Sequence, residues 1–81
     1  MIIKLENKFI KLEKCIYSDG THSNDGVDVY FYEGKLIAVE WSKWQSTTPP
    51  EPYLISLNDF KNYPHPERVY EACKTIGIEL L

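Results

Sequence analysis

The sequence predicts an α+β domain, an antiparallel meander sheet of about four to five strands with a C-terminal helix packed on one face. Two β-rich runs, Val27 to Tyr32 and Lys35 to Trp44, flank Glu33-Gly34, which is the pattern of a hairpin. Val69, Ala72, Cys73 and Ile76 recur at helical spacing behind Pro66, giving one apolar stripe. A chain of 81 residues is expected to form one domain, residues 1–81, around one core.

Ile2 to Leu5 is expected to pair with the following strand across a Glu6-Asn7 turn, setting Ile3 opposite Ile10. Phe9 to Tyr17 alternates Ile10, Leu12 and Ile16 with Lys11 and Glu13, so it reads as one half-buried strand. Lys4, Lys8, Lys11 and Lys14 outnumber Glu6 and Glu13 in this region. They read as solvated lysines of an edge strand, where lysine blocks sheet-to-sheet aggregation. Ser18 to Gly26 is turn chemistry, since Asp and Asn close local hydrogen bonds and glycine supplies positive φ.

The hairpin register turns on how cleanly the two faces separate, because a slip of one residue exchanges them. A two-residue Glu33-Gly34 loop pairs Phe31 with Leu36 and leaves both faces half apolar. A type I turn with Gly34 as a G1 bulge pairs Phe31 with Lys35 and Val29 with Ile37. The second register gathers Val27, Val29, Phe31, Ile37, Val39 and Trp41 on one face, and it is the one expected. Prolines at 49, 50 and 52 make the next stretch a loop. Tyr53 to Ser56 returns as a short strand, and a helical turn starts at Ser56 or Asn58, runs through Phe60 and ends before Pro64.

The last helix is marked at both ends. Pro66 suits the first helical position, Glu67 the positive N-terminus, Lys74 the last turn and Gly77 the C′ position. A Schellman ending folds Ile78 back onto Cys73. A helix this short does not hold alone, so its stripe is expected to dock on the Val27/Val29/Phe31 face.

The opposite face should then be wet, yet it carries aromatics. Tyr30, Tyr32 and Trp44 are the candidate anchors of a docking surface, with Glu40 and Lys43 tuning its rim. Exposed aromatic clusters mark interaction sites, and Tyr and Trp are typical anchors. The expectation is a small non-enzymatic protein-binding module, of the kind found among regulators, inhibitors and immunity or mobile-element accessory proteins. Another protein is the expected partner. The same face could instead serve a homodimer, or stack single-stranded nucleic acid or a nucleotide. The loop at 45–53 or the N-terminal hairpin could also cover it.

A formal charge of −3 with a pI near 5.3 argues against a general basic face for nucleic acid. No apolar run suits a membrane span and the opening residues do not form a signal peptide, so a cytoplasmic protein without membrane contact is expected. Cys15, His22, His65 and Cys73 lack the short paired spacings of zinc sites. Aligning Gly26 with the glycine of an EF-hand puts Thr21 and Tyr32 where carboxylates are required. His22, with Asp19 and Asp25, has no nucleophile or phosphate loop to complete a catalytic site. Pro49-Pro50-Glu51-Pro52 fits a PxxP pattern but has no adjoining basic residue. No metal, cofactor or catalytic residue is expected.

Overall fold

Two left-handed turns set the strand pairing. The computed structural model describes residues 2–20, 25–42 and 52–78. Glu6 and Asn7 both have positive φ (51° and 65°), as do Glu33 and Gly34 (48° and 76°). Two consecutive positive-φ residues are the signature of type I′ turns, whose twist matches that of the strands they join. The first turn joins β1 (Ile2–Leu5) to β2 (Lys8–Lys11), with Ile3 opposite Ile10 as expected. The second joins β4 (Asp25–Tyr32) to β5 (Lys35–Ser42). With β3 (Cys15–Asp19) and β6 (Tyr53–Ile55) these form a four-stranded antiparallel sheet in the order β3-β4-β5-β6, while β1 and β2 form a separate pair.

The expected hairpin register is corrected. Phe31 pairs with Leu36 and Val29 with Ala38, so Glu33-Gly34 is a two-residue loop without a bulge. Clean segregation is the right criterion only for a sheet with one wet face. Here both faces are covered, and both need apolar residues. Val29 and Leu36 join Tyr17, Phe60, Val69, Ala72 and Cys73 in one buried cluster, with Val27 and Phe31 packed against it. Ile37 and Val39 join Ile3 and Leu12 in a second cluster on the other face. Ile37 and Val39, expected to face the helix, thus lie under the β1–β2 hairpin.

The expected continuous strand from Phe9 to Tyr17 is corrected too. It is interrupted at residues 12–14, because the chain leaves the hairpin layer there to enter the sheet. Leu12 is buried between the layers, and β3 begins beyond it. A bulge between Cys15 and Tyr17 leaves Ile16 as the extra residue opposite β4. Ile16 and Tyr17 then both contribute to the helix-side cluster, which regular alternation would forbid.

The helical layer matches its sequence signals. Ser56 caps α1 (Leu57–Lys61), its Oγ accepting from the Asp59 amide at 3.1 Å. α2 (Pro66–Thr75) buries Val69, Ala72 and Cys73. Its end is a Schellman motif: the Ile78 amide donates to the Cys73 carbonyl at 2.9 Å and the Gly77 amide to that of Lys74 at 3.2 Å, with Gly77 at φ 80°. Tyr17, Phe60 and Tyr63 meet edge to face, with centroids 5.4 to 5.6 Å apart, and the Tyr17 hydroxyl donates to the Pro64 carbonyl. These contacts tie α1 and the connection between the helices to β3. Among the described residues no helix is long and apolar enough to cross a membrane.

Candidate functional site

Of the expected aromatic surface, Tyr30 and Tyr32 share a face that the hairpin partly covers, while Glu40 lies on the other. Tyr30 and Tyr32 are half-buried and pack against the Ile3/Leu12/Ile37/Val39 cluster under the hairpin. Burial pushes the Tyr30 hydroxyl above its ordinary pKa, and the neighbouring Cys15 and Asp28 push the same way. Glu40 pairs with Val27, which puts it on the helix-side face, away from both tyrosines. There its carboxylate accepts from the Tyr53 hydroxyl at 3.2 Å. Lys43, Trp44 and His22 lie outside the described residues.

The exposed aromatic lies on the hairpin instead. Leu5, Ile3 and Ile10 face the sheet and supply what the fold needs. The register Ile2↔Lys11 and Lys4↔Phe9 places those four residues on the outer face. Phe9 is 76% exposed and Ile2 70%, where binary patterning calls for polar residues. The Lys4 ammonium stands 5.9 Å from the Phe9 ring centroid, while Lys11 is 3.1 Å from Glu13. The outcome is an apolar centre flanked by lysines. The sequence did carry the signal, since Phe9 is out of phase with Ile10, but only the layering shows that no described residue of the core packs on that side.

A second concavity lies between β3 and α2. About 790 Å³ in volume, it is lined by Ile16, Tyr17 and Ser18 on the strand side and by Glu67, Arg68, Tyr70 and Glu71 on the helix side. Tyr70 is 55% exposed. The sequence could not reveal this groove, because it depends on where α2 docks along β3. At one end Arg68 Nη1 donates to the Ser18 carbonyl at 3.4 Å, and His65 Nε2 lies 3.5 Å from Asp19 Oδ1.

The remaining polar groups near the sheet explain themselves structurally. The Ser18 hydroxyl and the Trp41 indole N–H donate to the same Asp28 oxygen at 2.7 and 3.3 Å. Burial raises the pKa of both Cys15 and Cys73, the opposite of what an activated thiolate requires. Among the described residues no three His, Cys, Asp or Glu side chains cluster to hold a metal ion. No protein-family model, no curated protein and no solved structure matches the chain.

Proposed function

We propose that the chain is a small non-enzymatic binding module that docks onto another protein through the outer face of the β1–β2 hairpin. One observation carries this reading: Phe9 stands three-quarters exposed on an element whose opposite face already does the folding work. A large ring displayed at the centre of a small surface is the usual form of a binding anchor. Lys4 beside the ring, and Lys11 on the same outer face, fit an acidic partner with an apolar slot for Phe9 and Ile2. Complementary charge would speed and orient the encounter, while the buried ring would set the residence time.

The same lysines beside an aromatic ring also suit stacking of single-stranded nucleic acid. The overall charge of −3 favours the protein. Capture from the native source with immobilised wild type, Phe9→Ser and Lys4→Glu/Lys11→Glu separates the two. A nuclease-resistant protein target that is lost with Phe9→Ser supports the proposal. Retention of nucleic acid with a steep salt dependence, or capture indifferent to Phe9, overturns it.

A further inference from the structure

We infer that the groove between β3 and α2 takes an extended peptide segment of another protein, which adds as a strand to the free edge of β3. This segment would turn an apolar side chain toward Tyr70 and a basic one toward Glu67 and Glu71. The site is separate from the hairpin surface and does not depend on it.

Among the described residues β3 is a terminal strand of the sheet, so no described strand pairs with the other side of its backbone. The Ser18 carbonyl accepts from Arg68 at 3.4 Å, a long contact that leaves its second lone pair for an incoming amide. Such edges are normally blunted by shortness, proline, bulges or cover, and in β3 the bulge at Ile16 confines the regular edge to Tyr17, Ser18 and Asp19. β6, at the other end, is only three residues long and follows Pro52. β3 has five residues, and its regular edge can pair with a short extended segment.

The bulge shapes the floor of the groove. By inserting Ile16 as an extra residue it lets both Ile16 and Tyr17 line the cavity together with Ala72. Tyr70 stands beside this floor, exposed, with no packing role in the helix-side cluster. The helix wall carries two carboxylates, Glu67 and Glu71, against Arg68, and Arg68 is engaged on the strand. An apolar floor beside an edge strand, under an acidic helix wall, fits strand addition by a basic-apolar segment. In that mode backbone hydrogen bonds supply affinity and alternate side chains supply specificity.

A displayed library of random heptapeptides panned against the full chain provides the probe. Expected are enriched peptides that alternate apolar residues with Lys or Arg. Titrated into isotope-labelled protein, they should shift the amides of Cys15–Asp19 and of α2. Methylating alternate peptide nitrogens should weaken them by about tenfold or more, as should Tyr70→Ser or Glu71→Lys. Both sites are exposed, and the spectrum of each variant verifies folding. Phe9→Ser should bind the peptides unchanged, which keeps this result independent of the hairpin proposal. Failure to enrich, indifference to N-methylation, or shifts centred on Phe9 would overturn the inference. So would a mass that rises with concentration and reverts with Glu71→Lys, since that would assign the groove to a second copy of the chain.

Discussion

Replacing Gly26 by alanine, alone and together with Trp41→Ala, tests the β4–β5 register, because the observed pairing sets Gly26 against Trp41. Gly26 faces Trp41 across the β4–β5 ladder. A methyl carbon there would lie 2.1 Å from the Asp19 carbonyl oxygen and 2.6 Å from the indole, where ordinary contacts begin at 3.4 Å. Relief needs more than an ångström of movement, and the carbonyl belongs to backbone held in the β3–β4 ladder. Overpacking a tight site costs about 1–3 kcal/mol, and the backbone contact puts this change near about 3 kcal/mol. For a domain of this size that lowers Tm by roughly 15 °C. Urea titrations followed by far-ultraviolet dichroism would measure it. Trp41→Ala removes the indole but leaves the carbonyl, so the double variant should recover only part of the loss, and the two changes should couple. Strict additivity would refute the register, because the bulged alternative puts Trp41 on the opposite face from Gly26.

Other changes probe the turn, the core, the surface and the ionisable groups. Glu33→Asn should stabilise the fold by about 0.5–1 kcal/mol, since asparagine tolerates positive φ better than glutamate, with the urea midpoint as the readout. Phe60→Ala should cost about 3–5 kcal/mol, because the ring is fully buried beside Tyr17 and Tyr63. Phe9→Ser should cost no more than about 1 kcal/mol of folding, as only a quarter of its ring is covered, yet weaken partner binding about thirtyfold or more. The pKa values of Tyr17, Tyr30 and Tyr53 are all raised, with burial the leading cause. The folded state therefore holds these protons more tightly than the unfolded chain, so their stabilising contribution is full below the unfolded value of about 10 and is lost as pH climbs beyond it. Urea midpoints should fall above that pH, and Tyr53→Phe should flatten the fall.

What could be read from the chain was local, and what could not be read was relational. α2 was legible because Pro66 and Gly77 mark its ends in the sequence, and its stripe follows from spacing alone. The Glu6-Asn7 turn was legible, with Ile3 opposite Ile10, because the turn sits between two short apolar runs. The β4–β5 register was not, since it follows from cover on both faces, and that cover comes from elements distant in sequence. Glutamate at Glu33 also gives little sign of positive φ. For the same reason the sequence leaves open whether Tyr30 and Tyr32 are wet, and their half-burial follows from the hairpin that packs over them. Alternation with Ile10 puts Phe9 on the outer side of the strand, but only the layering of hairpin on sheet shows that the described core lies on the other side.

The most direct measurement of the hairpin surface attaches a photo-reactive benzoyl group at position 9 and, separately, at position 54, then irradiates each in extract from the native source. Leu54 is also an exposed apolar residue, on β6 of the main sheet. Docking through the hairpin predicts a discrete protein adduct from position 9 that is absent from position 54. Equal labelling from both positions, or an adduct to nucleic acid, would contradict it.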